Sequence, residues 1–202
     1  MKLYDLKAGL NPRRVRIFLA EKGIDIPIVP IDMAAGENAT PEFLKLNPLG
    51  KLPVLVLDDG TVLTESVAIC RYLESLHPEP PLFGRTPLEQ AQVEMWNRRM
   101  EHEILVHVTN MFRHTHPFWI GRQTQFKDFG EWSRNILLDR MRWLDGELAE
   151  REFVAGDTYT VADITAQCAL LVAKACKVPI PEDMPNLAAW WSRVTSRPSA
   201  RA

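Results

Sequence analysis

Cysteine is scarce in this 202-residue chain: Cys70, Cys168 and Cys176 are all there is, and no two form a C-x-x-C pair. So odd and scattered a set excludes a disulfide framework and a thiolate zinc site. All three are expected to be small buried apolar residues. A dominant charge is lacking too, with 24 basic against 26 acidic residues, so no global field draws the chain to nucleic acid or to an anionic membrane. No apolar run approaches the ~20 residues of a membrane span. The opening Met1-Lys2-Leu3-Tyr4-Asp5 meets charge at once, whereas an export signal needs a longer apolar stretch; the cytoplasm is the expected compartment. His114-x-His116 is too short a set to hold a metal, and no metal is expected. What remains is the composition of a globular protein, 46% apolar and 25% charged, long enough for one or two packed domains.

The first third alternates strand and helix signals. Leu3 to Leu6 reads as a strand. Asn11-Pro12 reads as a helix start, with Asn as cap and Pro at the first position, and Val15, Phe18 and Leu19 give that helix an apolar stripe. Gly23 ends it. Ile26 to Ile31 is a β-branched run, and Thr40-Pro41-Glu42 opens a short helix to Leu46. Val54 to Leu57 and Val62-Leu63 are strands joined across Asp58-Asp59-Gly60-Thr61. A last helix begins at Thr64 or Glu65 and runs to Leu76. The order βαβαββα predicts an α+β domain with a mixed four-stranded sheet over residues 1–79. The proline-rich stretch 80–86 reads as a linker. Residues 87–202 read as an all-helical domain, with helices over 88–113, 128–150, 160–175 and 184–196. Thr160 and Asp163 have capping-box spacing and Tyr159 and Ile164 staple spacing, which marks Asp163 as structural.

Three motifs in order carry a resemblance. Asn47-Pro48-Leu49-Gly50-Lys51-Leu52-Pro53-Val54-Leu55, Thr64-Glu65-Ser66-Val67-Ala68-Ile69, and Val154-Ala155-Gly156-Asp157 with Thr160-Val161-Ala162-Asp163-Ile164 resemble the strand-turn, glutathione-binding and capping segments of the cytosolic glutathione transferases. The resemblance implies a thioredoxin-like amino-terminal domain and a helical carboxy-terminal domain lining a second-substrate cleft. It also implies glutathione as co-substrate, a homodimer, and conjugation of the thiolate to hydrophobic electrophiles. In such a fold Pro53 is expected to be cis, so that the turn presents the N–H and C=O of Leu52 to an extended tripeptide. Ser66 at a helix start suits the γ-glutamyl carboxylate, Glu65 its ammonium, and Lys51 the glycine carboxylate.

The chain departs from that family at one point. Gly9 stands where many members have the catalytic serine, no cysteine lies in the first helix, and Tyr4 reads as a sheet residue. This resembles the atypical, yeast-type transferases that lack the usual Ser, Tyr or Cys. Asn11 and the helix start around it are candidates for holding the thiolate. So is His114, from the face Glu103, His107, Asn110 and His114 of the long helix. Met111, Phe118 and Trp119 are candidates for the apolar wall of the electrophile site, or equally for a core cluster. Peroxidase, dehalogenase and isomerase chemistries share the scaffold, and a non-catalytic protein acting through protein contacts is the rival reading that Gly9 favours.

Overall fold

Leu3 is fully buried between exposed Lys2 and half-buried Tyr4, the alternation of a strand with one face on a core. It belongs to β1 (Lys2–Asp5), an inner strand of a sheet ordered β2-β1-β3-β4 in the computed structural model, which describes residues 1–202. β1 runs parallel to β2 (Ile28–Pro30) and antiparallel to β3 (Val54–Val56), with Leu3 opposite Ile28 on one side and Leu55 on the other. β3 pairs antiparallel with β4 (Val62–Leu63). This is the mixed four-stranded sheet expected, with β2 shorter than its β-branched run.

The connections to β2 and β3 are α1 (Leu10–Lys22) and α2 (Pro41–Leu46), and α3 (Ser66–Leu76) closes the unit. The start of α1 corrects the sequence reading. Gly9, not Asn11, is the cap, and it makes no side-chain bond. Pro12 is the third helical residue and is buried, a place proline tolerates because first-turn N–H groups have no helical acceptor. The end of α1 is as read: Gly23 takes φ 64° and the Ile24 N–H returns to the Leu19 carbonyl at 3.0 Å. Against α1 and α3 lie Val15, Phe18, Ile69 and Leu73, all fully buried. On the other face Phe43, Leu52 and Val54 form a second cluster that takes in Tyr4, whose ring meets Phe43 edge-on at 6.2 Å. Tyr4 is thus a packing residue.

The chain divides into Met1–Pro81 with Pro198–Ala202, and Leu82–Arg197. The last five residues therefore belong with the first unit, not with the helical one: they pack on α1, and buried Ser199 donates to the Glu21 carboxylate.

The second unit is helical throughout. Its long first helix is not uniform: α4 (Pro87–Arg99) and α5 (Val106–Thr115) are joined by a π-helical segment, Met100–Leu105. A π turn inserts an extra residue into the helical register, which the apolar periodicity did not show. α6 (Lys127–Glu147), α7 (Val161–Ala175) and α8 (Pro185–Thr195) complete it. Gly130 sits where an added Cβ would come within 2.5 Å of Thr115 Cγ2, so its missing side chain lets α6 close on α5. The capping box opening α7 is present, with Asp163 fully buried and accepting from the N–H groups of Val154 and Thr160 and from the Trp190 indole.

Candidate functional site

The turn before β3 is held by its own asparagines. Buried Asn47 donates through Nδ2 to the Lys51 carbonyl at 2.8 Å and accepts at Oδ1 from the Leu49 N–H at 3.1 Å. Asn38 donates to the Gly50 carbonyl at 2.8 Å, and Gly50 takes φ 60°. The Leu52–Pro53 peptide is cis, as expected. The Leu52 side chain is buried in the cluster with Phe43, while no backbone group of the chain pairs with its N–H or C=O. The backbone N–H and C=O of Leu52, just before the inner strand β3, are thus open to an extended chain. Lys51 beside it is exposed.

Glu65 and Ser66 lie at the other anchor. Glu65 has φ 64° and ψ 115°, a conformation disfavoured for a non-glycine residue, and its carbonyl accepts from the Ile69 N–H at 3.0 Å. Such strain survives where the surrounding structure imposes it, most often at ligand sites. Ser66 is the first residue of α3 and is buried. Its hydroxyl accepts from Arg14 Nη1 at 3.0 Å. With that lone pair engaged, the hydroxyl proton is left to donate, and an N-terminal helix dipole and a guanidinium converge on the same spot.

Arg14 is the residue the sequence reading missed. It is 2% exposed, which is rare for arginine. The signal was there: it precedes Phe18 by four residues, on the buried face of α1. A charged residue in an apolar stripe marks a partner to be found.

Gly9 has φ −75° and ψ 133°, extended backbone open to any residue. It is glycine for space. An added Cβ would lie 2.8 Å from Pro12 Cγ, 2.9 Å from Pro12 Cδ and 3.1 Å from the Leu6 carbonyl oxygen. Pro12 and a side chain at residue 9 exclude one another. Gly9→Ser is therefore expected to lower stability by about 1–3 kcal/mol without raising conjugation turnover; thermal melts and steady-state rates check both. Asn11, two residues on, has an exposed side chain.

The helical unit distributes its candidates differently. Met111 is 2% exposed, packed in the core of the helical unit, one of the two places the sequence offered for it. Phe118 is exposed, 42%, and Trp119 half-buried. They pack edge to face at 5.2 Å, with Phe112 stacked on Phe118 at 6.3 Å. His114 accepts the Phe126 N–H on Nδ1 at 3.1 Å, which caps the start of α6. That bond fixes the orientation of the ring and leaves Nε2 as the nitrogen it does not engage. His107 stacks edge-on against Trp132 at 5.9 Å, and burial holds its pKa below the usual histidine value, opposed by the Glu103 carboxylate. Glu103 itself pairs with Arg140 at 2.6 Å.

Comparison with known proteins places the geometry. Residues 10–76 match the glutathione S-transferase N-terminal domain and residues 133–198 the C-terminal domain. Glutathione S-transferase 2 of Saccharomyces cerevisiae is 41% identical over 206 residues, covering 100% of this chain and 88% of the yeast protein. Human glutathione S-transferase theta-2 is 33% identical over 90% of the chain and 75% of its own length. The crystal structure of Gtt2 from S. cerevisiae superposes with a TM-score of 0.94, 41% identity, and coverage of 100% of this chain and 99% of that one.

Proposed function

The chain belongs to the glutathione S-transferase family, and we propose from that premise that it binds glutathione along the edge between Lys51 and Ser66 and transfers its sulfur to a hydrophobic electrophile. The observation that carries this reading is the backbone of Leu52, beside a turn held by the Asn47 bonds, with its N–H and C=O unpaired. In this reading the cysteinyl residue of glutathione pairs there as an added strand. Ser66 and the α3 dipole take the γ-glutamyl carboxylate, Glu65 the ammonium, and Lys51 the glycine carboxylate.

The thiolate is assigned to the start of α1. The first-turn N–H groups of Leu10 and Asn11 have no helical acceptor, and Asn11 adds an exposed side-chain amide. A helix N-terminus lowers a thiol pKa as it does for protein cysteines. The sulfur then attacks the electrophilic carbon, the C–S bond forms as the leaving group departs with its electron pair, and the thiol proton passes to water. No residue 9 hydroxyl takes part. The same family premise leads us to a homodimer in the cytoplasm.

Asn11→Ala is the test of this assignment. Conjugation turnover is expected to fall about ten-fold while the glutathione Kd measured by calorimetry stays within two-fold, the signature of an interaction made in the transition state. Equal turnover in both proteins removes Asn11 from the mechanism. Tight glutathione binding without turnover on any electrophile supports the non-catalytic reading.

A further inference from the structure

Two arginines on α1 are tied in different ways. Arg16 anchors the helix to β1: its Nη1 donates to the Asp5 carboxylate at 2.5 Å and to the Leu6 carbonyl at 3.4 Å, and its Nη2 to the Lys7 carbonyl at 2.8 Å. Arg14 lies on another face of the helix. Its Nη1 donates to the Ser66 hydroxyl at 3.0 Å in a contact buried on both sides, with Arg14 2% and Ser66 5% exposed. α1 and α3 pack on one another, with Phe18, Ile69 and Cys70 closed to solvent. An arginine buried at that junction is held in one place before any ligand arrives.

Ser66 begins α3, and the end of that helix is open. Glu65 precedes it without a side-chain cap bond, and the first backbone bond runs from the Ile69 N–H to the Glu65 carbonyl. The N–H groups of Ser66, Val67 and Ala68 have no acceptor in the chain. The threonines before α2, α4 and α7 turn their hydroxyl oxygen onto their own helix: Thr40 accepts from the Phe43 N–H, Thr86 from that of Glu89 and Thr160 from that of Ala162. The Ser66 oxygen is engaged by Arg14 instead. A hydroxyl carries one proton, and a guanidinium bonded to its oxygen repels that proton. The proton is therefore turned away from Arg14, and Ser66 donates it to nothing in the chain.

We propose that Arg14 is a positioning residue that sets, through Ser66, the requirement for the α-carboxylate of the γ-glutamyl group. The inference rests on the reading of Ser66 as the anchor of that group and deepens it. Arg14 itself touches no substrate. It fixes the serine oxygen from the protein side, so that the hydroxyl proton and the open N–H groups of α3 meet one carboxylate together. Without Arg14 the hydroxyl rotates among its staggered positions, and the carboxylate has to order it on binding. A peptide that carries the carboxylate loses affinity by this, and one that lacks it loses nothing.

The test compares glutathione with 4-aminobutanoyl-cysteinylglycine, which lacks only that carboxylate, by calorimetric titration of the full chain. The native protein is expected to prefer glutathione. Arg14→Met is expected to cut that preference about ten-fold while binding of the shortened peptide stays within about two-fold. Arg14→Lys keeps a donor of nearly the same reach and is expected to restore most of the preference. In the Ser66→Ala background Arg14→Met is expected to add less than about two-fold, because a residue acting through Ser66 has nothing left to act on. Arg16→Met is the control: its thermal melt falls and its preference stays. If Arg14→Met does not fold, Arg14→Gln takes its place, since its amide ends level with the arginine Nε and falls short of Ser66. Equal losses for both peptides, full additivity with Ser66→Ala, or a shift in Arg16→Met as large as in Arg14→Met overturns the proposal. A native preference that survives Arg14→Met removes the role of Arg14 alone. A native protein that binds both peptides alike removes the γ-glutamyl anchor and the role of Arg14 with it.

Discussion

Asp163→Ala is expected to destabilise the protein by about 4 kcal/mol, enough to leave much of it unfolded at 37 °C. The carboxylate is fully buried and accepts from the Val154 N–H at 2.8 Å, the Thr160 N–H at 2.9 Å and Trp190 Nε1 at 2.8 Å. Alanine strands three buried donors at once, and each stranded group costs about 1–3 kcal/mol. It also removes the tie between the start of α7, the segment before it and α8. Urea unfolding at pH 7 measures the loss; a variant within 1 kcal/mol of the native protein would show that water replaces the carboxylate at little cost.

The same residue gives the protein a pH signature. Burial raises the Asp163 pKa from the ordinary 3.8 to about 6, against the pull of its donors. Between those two values the folded chain keeps a proton that the unfolded chain has released, so stability from this group is complete below the lower value and is lost as pH rises through about 6. Asp163→Asn cannot titrate. The stability difference between native protein and this variant is therefore expected to shrink in the native protein's disfavour from pH 4 to pH 7, and a difference that stays flat over that range contradicts the assignment.

Ser66→Ala is expected to weaken glutathione binding by about 1–3 kcal/mol, roughly 5–150-fold in Kd. The hydroxyl sits between a guanidinium and a helix start, and its loss takes away the acceptor of Arg14 Nη1 together with the donor proposed for the ligand's carboxylate. Calorimetric titration with glutathione and its uncharged diester separates the two: the diester is expected to lose little more in the variant than in the native protein. Unchanged glutathione affinity would place the γ-glutamyl anchor elsewhere.

Much of this was legible in the residues. The alternation around Leu3, the β-branched runs and the Asp-Gly turn predicted the sheet, and glycine ended α1 where it was expected to. Thr160 and Asp163 were readable as a cap because a capping box is local in sequence. What the residues did not show has two causes, the packing of a turn and partners distant along the chain. Asn11-Pro12 looks like a helix start from its own propensities, but the Gly9 cap is decided by how the Leu6–Pro12 turn packs. Arg14 is buried because Ser66, 52 positions away, faces it. His114 bonds a backbone amide 12 residues on, a partner its own helix does not announce.

The return of residues 198–202 to α1 orders events in the life of the chain. The first unit is finished only once residues 198–202 have been made, because they supply part of its packing. Until then Met1–Pro81 waits without them while the whole of Leu82–Arg197 is made, and a fragment cut at Pro81 stays permanently in that waiting state.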